Sequence, residues 1–243
     1  MSELTASLDA EGLVCVVGAG GKKTTMYALA AESDRAVVTA TVRIPVFDPH
    51  VARVAVTEDP IATLVTADDW PLGLVPEREF EDRYRGYEPD TVDEIGAAHD
   101  GPVLVKADGA RMREFKAPGE NEPRIPEQAD TVIPVASAHV VGEPLSEELV
   151  HRPERVAAVA GVELGDEITP EVVGRVLASP EGGLRGVPPG ATAIPLVNKV
   201  DDDEDLAVAR EIADAALEHA DRSIVPRVVL ARMADAEVRE IVE

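Results

Sequence analysis

The chain has 243 residues, a formal net charge of −24, 45% hydrophobic residues and only 3% aromatic ones. That length and apolar content can bury a real core, built mostly from Val, Ala, Leu and Ile, while the acidic balance argues against non-specific binding to nucleic acid or to anionic membranes. Arg outnumbers Lys by 18 to 5 and the acids are scattered along the chain, a surface suited to high salt that suggests a halophilic source.

In chain order, Met1 to Glu11 is acidic and lacks the basic start of a secretion signal. Apolar, β-branched runs follow at Leu13–Val17, Ala36–Thr39, Val51–Val56, Val103–Val105, Thr131–Val135, Thr192–Val197 and Ile224–Leu230, and each predicts a strand. The single cysteine, Cys15, lies inside the first run and reads as a small buried thiol. Helices are predicted over Thr25–Ala31, Asp59–Thr66, Pro153–Ala160, Pro170–Ala178 and Glu204–His219. The interval Trp70–Asp100 has no clear pattern, and its charged stretch Arg78–Arg85 suggests an exposed helix or a lid. Residues 139–190 read as a helical insertion before the late strands, returning through a Pro/Gly-rich loop. Strands alternating with helices predict an α/β fold with a mainly parallel sheet flanked by helices, in one domain over 1–243. No run approaches the ~18 apolar residues that would span a bilayer, so a soluble, cytoplasmic protein without membrane partners is expected.

The stretch Gly18-Ala19-Gly20-Gly21-Lys22-Lys23-Thr24-Thr25 carries the strongest chemistry. An apolar strand breaks into a glycine turn and then opens a helix, which is the order a phosphate-binding loop needs. Glycines let backbone N–H groups aim at a phosphate, and the helix start adds partial positive charge. A lysine reaches the terminal phosphates and a threonine hydroxyl ligates Mg2+. The spacing is one or two residues short of the usual pattern, so Lys22 and Lys23 both remain candidates for the phosphate, and Thr24 and Thr25 for the metal.

Three later segments add candidates. Asp108, after the run Val103–Val105, sits where a Mg2+-binding acid stands in nucleotide-binding α/β proteins; the plainer reading is an Asp-Gly turn with Gly109. Beyond it, Arg111, Arg113 and Lys116 concentrate basic charge in an acidic chain, either to hold an anion or to form surface salt bridges. Asn198-Lys199-Val200-Asp201 matches the Asn-Lys-x-Asp motif that reads guanine; the alternative is an acid-rich turn that caps the next helix. His151 before Arg152-Pro153 is a turn residue or an acid–base candidate, and Thr39 and Thr41 end a strand near the expected nucleotide edge.

Taken together, Val17–Lys22, Ala107–Arg111, Lys116-Ala117-Pro118, Glu122-Pro123, Pro144-Leu145, His151–Glu154 and Asn198–Asp201 resemble the YqeC family of selenium-dependent hydroxylase accessory proteins. The resemblance implies a P-loop-like nucleotide-binding fold and a role in maturing a selenium-dependent molybdenum hydroxylase cofactor. On that reading Gly18–Thr25 holds GTP or another NTP, and Asn198, Lys199 and Asp201 hold the base. Thr24 with Asp108 binds Mg2+, while Asp108, Arg111 and Lys116 serve catalysis. Partners would be the nucleotide and an apo molybdenum hydroxylase or its cofactor. The alternatives are a small-molecule phosphotransferase and a non-catalytic cofactor chaperone.

Overall fold

A computed structural model describes residues 2–243. In chain order its elements are α1 (Glu3–Ser7), β1 (Leu13–Gly18), α2 (Lys22–Ala31), β2 (Val37–Ala40), β3 (Ile44–Pro45), β4 (Arg53–Val56), α3 (Pro60–Val65), β5 (Leu72–Val75), β6 (Arg83–Tyr84) and α4 (Pro89–Ala98). They continue with β7 (Val103–Lys106), β8 (Phe115–Lys116), β9 (Thr131–Ser137), β10 (Val150–His151), α5 (Pro153–Ala160), α6 (Pro170–Leu177), β11 (Thr192–Ala193), β12 (Leu196–Asn198), α7 (Asp203–His219), β13 (Val228–Arg232) and β14 (Glu237–Val242).

The main sheet runs in the order β14-β13-β12-β9-β1-β7-β2-β5-β4, with β11 also paired to β9. Every pairing in it is parallel except β13 with β14. This is the expected α/β architecture with a mainly parallel sheet. β1 lies at its middle because both of its faces are apolar. Val14 and Val16 pack against Met26 and Leu29 of α2, Leu4 of α1 and Leu8 just after it. Leu13, Cys15 and Val17 point the other way, toward Val92 and Ile95 of α4. A strand buried on both sides reads as a continuous hydrophobic run rather than as an alternation. Farther along that second face, α5, α6 and α7 cover β12 and β13 through Val156, Val173, Val176, Ile212 and Ala216.

Cap chemistry explains where helices start. Asp59 accepts from Ala62 N at 3.0 Å, Thr169 from Val172 N at 3.3 Å, and Asp202 from both Glu204 N and Asp205 N at 2.9 Å. Prolines at the first helical position begin α3, α4, α5 and α6.

Some boundaries depart from the sequence expectation. The run Thr192–Val197 splits into β11 and β12 at Pro195, which has no N–H to give the ladder. The last apolar run begins only at Val228, after Pro226. Arg78–Arg85 is not a helix. It closes a short antiparallel pair, β3 with β6, in which Tyr84 is buried and Arg43 grips Glu79. Trp70–Asp100, unassigned in the sequence, supplies β5 and α4. Among the described residues no helix is long and apolar enough to cross a membrane.

Candidate functional site

The chain leaves β1 toward one half of the sheet and later crosses to the other half, through β9. The carboxyl ends of β1, β7 and β9 therefore form the crevice in which open α/β sheets bind ligands. The glycine turn after β1 lies there. Gly18 has φ 90°, and a Cβ on it would stand 2.2 Å from the Val135 carbonyl oxygen of β9, so only glycine fits the close strand contact. Gly21, at φ 142°, caps α2 without a side chain and leaves the first helical N–H groups open toward the crevice.

Asp108 is 1% exposed at the end of β7 and turns its carboxylate into this loop. Oδ2 accepts from Gly18 N at 2.9 Å and meets Lys116 Nζ at 2.9 Å. Oδ1 faces Lys22 Nζ at 2.8 Å. Lys22 also curls back to donate to the Gly18 carbonyl. Lys116 donates to the Gly109 carbonyl at 2.6 Å and to Glu122 at 3.0 Å, and Glu122 in turn binds the Arg152 guanidinium at 2.7 Å. Lys106, at the end of β7, donates to the Asp108 and Arg43 carbonyls at 2.7 and 2.9 Å. Of the chain's five lysines, Lys22, Lys106 and Lys116 are thus buried at one place.

Cations outnumber carboxylates in this cluster: Lys22, Lys106, Lys116 and Arg152 face Asp108 and Glu122. Burial alone would push the Asp108 carboxyl up, but the ammonium groups of Lys22 and Lys116 outweigh it and hold it well below the usual range. Burial, with Lys22 nearby, pulls Lys106 down to about 7. Burial first, then Arg152, Lys116 and Arg111, bring His151 down to about 4, so its imidazole is neutral at pH 7.

The Lys106 shift has a measurable consequence. Its folded pKa lies below its unfolded value, so between about 7 and 10 the unfolded chain holds the extra proton and stability rises with pH. The thermal midpoint of the wild-type chain should therefore gain more between pH 7 and pH 9 than that of Lys106→Met. Equal gains would reject a weakened buried ammonium.

The structure brings Gly18–Lys22, Asp108 and Lys116 together and separates the remaining candidates. Lys23 is half-buried on α2 outside this cluster, and Thr24 is exposed. Thr25 is buried, and its hydroxyl donates to the Gly21 carbonyl at 3.2 Å. Arg111 is exposed at the tip of the loop after Asp108, with φ 47°, followed by Met112 at 64°. Arg152 and Lys199 also have left-handed backbone, at φ 63° and 62°. Strain of this kind concentrates at functional sites. Lys199 pairs with Glu114 at 2.7 Å.

Asn198 is placed beside the loop, where its amide has backbone partners. Its Nδ2 donates to the Gly20 carbonyl at 2.7 Å, and its Oδ1 accepts from Met233 N at 2.9 Å. The side chain is buried and ties the glycine turn to the β13–β14 turn. Any base contact from this segment falls to the half-exposed carboxylate of Asp201, which lies 3.4 Å from His139 Nε2.

Mg2+ takes near-octahedral oxygen ligands. Here Asp108 Oδ2 is taken up by Gly18 N and Lys116, while the buried Oδ1 makes no hydrogen bond and faces only the Lys22 ammonium. Thr25 turns its hydroxyl back to the backbone. With Asp108 paired to two ammonium groups, the donors present fit Mg2+ poorly.

Three participants, Lys106, Glu122 and Arg152, were given no site role by the sequence reading. Lys106 carried a signal, a lysine closing an otherwise apolar strand. Glu122 and Arg152 stand in segments that the resemblance covers, but only folding places them side by side.

The family described as YqeC protein matches residues 14–154, a span that holds the glycine loop, Asp108, Lys116, Glu122 and Arg152. The chain belongs to the YqeC family. Uncharacterized protein YqeC of Escherichia coli (strain K12) is similar to it, 26% identical over 214 residues that cover 85% of this chain and 83% of the relative. No solved structure matches. The family model ends before Asn198 and Asp201, while the alignment with the Escherichia coli relative, at 85% of this chain, runs across them.

Proposed function

We propose that the protein binds the phosphate groups of a nucleoside triphosphate, GTP being the expected nucleotide, at the glycine loop after β1. The observation that carries this reading is the cation cluster. Three buried lysines and an arginine surround two carboxylates at the open start of α2, in a chain of net charge −24. Buried positive charge gathered against the sign of the whole molecule, beside the open start of a helix, is what holding an anion needs. The accessory role in maturing a selenium-dependent molybdenum hydroxylase cofactor rests on the sequence resemblance, and it needs a protein that binds nucleotide without requiring fast turnover.

A groove of about 510 Å³ beside Glu122, lined by Gly119, Glu120, Arg124, Arg152 and Arg155, favours phosphoryl transfer to a small molecule as the second reading. Phosphate release from GTP alone separates hydrolysis from transfer, which needs an acceptor.

Calorimetric titration with GTP and ATP tests the base. The wild-type chain should favour GTP by at least about tenfold, because one hydrogen-bonded pair to a charged acceptor is worth about 1.5–3 kcal/mol. Asp201→Asn should erase that preference and favour xanthosine triphosphate. Equal affinities for GTP and ATP would reject guanine reading and leave phosphate binding intact.

A further inference from the structure

The glycine loop already holds an anion, and that anion is Asp108. Its carboxylate takes one N–H from the loop, at Gly18, and two ammonium groups, Lys22 and Lys116. Those are the donors a phosphate oxygen would use. Asp108 Oδ1, buried without a hydrogen bond, faces the Lys22 ammonium and has no hydroxyl bonded to it, as a counter-ion would. Lys22 and Lys116 also supply, from the protein, positive charge of the kind that a metal ion brings to a phosphate.

We propose that the loop is a metal-independent oxyanion site, in which Asp108 is the resident counter-ion that an incoming phosphate displaces from Lys22 and Lys116. The ligand class is a tetrahedral oxyanion, either free phosphate or the terminal phosphate of a nucleotide. The loop from Gly109 to Met112 is where Asp108 moves. Arg111 and Met112 in that loop are in left-handed backbone, at φ 47° and 64°. Asp108 then acts as a competitor of the ligand, so neutralising it strengthens binding. A metal ligand would show the opposite sign.

This inference rests on the phosphate reading above, and its test separates the two. Inorganic phosphate and GTP are each titrated into the wild-type chain by calorimetry, once with MgCl2 and once with EDTA. The expected result is binding in EDTA within about threefold of that in Mg2+, whereas a required metal would cost at least about tenfold. Asp108→Asn should bind both ligands at least about fivefold more tightly, having lost its internal competitor. If that variant folds poorly because its lysines are left unpaired, the wild-type titrations with MgCl2 and with EDTA decide without it. Binding of GTP only in Mg2+, or its loss in folded Asp108→Asn, overturns the metal-independent site and leaves nucleotide binding standing. Binding of inorganic phosphate without GTP upholds the oxyanion site and removes the nucleotide. Binding of neither ligand in any condition overturns both.

Discussion

Lys22→Ala should abolish phosphate and nucleotide binding, weakening it by more than about 100-fold, while Lys23→Ala leaves affinity within about threefold of wild type. The two residues are neighbours and carry the same charge, so the contrast isolates geometry. Lys22 is 5% exposed, and its ammonium lies inside the loop against Gly18 and Asp108. A charge held there, away from water, acts on a ligand with little screening. Lys23 is half-buried on α2 outside the cluster and acts through solvent. The same titrations carried out on both variants settle the matter, with circular dichroism to confirm folding. Equal losses in the two would mean that bulk charge rather than the loop holds the anion. Undiminished binding in a double variant lacking both lysines would remove the loop from phosphate binding altogether.

Asn198→Ala should lower the stability of the whole chain by about 2–4 kcal/mol, because it strands two buried backbone groups at once. The Gly20 carbonyl loses its donor and Met233 N loses its acceptor. For a chain of this size the thermal midpoint should drop by roughly 5–15 °C. Asn198→Asp is the informative companion. It keeps the acceptor for Met233 and replaces the donor to Gly20 with a second oxygen, so it should lose as much as the alanine variant or more. If the midpoint of Asn198→Ala stays within about 2 °C of wild type, the amide is not what holds the glycine turn.

The local parts of the site were legible in the residues, because their signals lie in short windows. A glycine turn between an apolar strand and a helix, and an aspartate closing a second apolar strand, each follow from backbone chemistry. Co-location at one sheet edge then follows from the α/β pattern. The burial of Lys106 and the joining of Glu122 to Arg152 come from contacts between distant segments, which no window contains. Asn198 stood out as a base candidate, and its amide also has partners, Gly20 and Met233, that sequence spacing does not show. The missed elements have weak signals of their own. β5 is four residues, Leu72–Val75, between Pro71 and Pro76 and includes a glycine. α4 contains Thr91 and Gly96, both poor helix formers. β14 is a half-exposed edge strand whose charged residues Glu237, Arg239 and Glu240 mask its period.

The central position of β1 also sets the order in which the chain can fold during synthesis. Its two neighbours are far downstream: Gly18 reaches Asp108 across 90 residues, and Leu13 reaches Asp130 across 117. At about 5–20 residues per second, the ribosome takes roughly 6–25 seconds to make the stretch that completes the pairing of β1. Until β7 and then β9 are made, an apolar strand with unpaired edges waits on the nascent chain, which is the form of segment that chaperones bind and that aggregates when they do not. The strand that bears the ligand loop is among the first made, and among the last of the early segments to be enclosed.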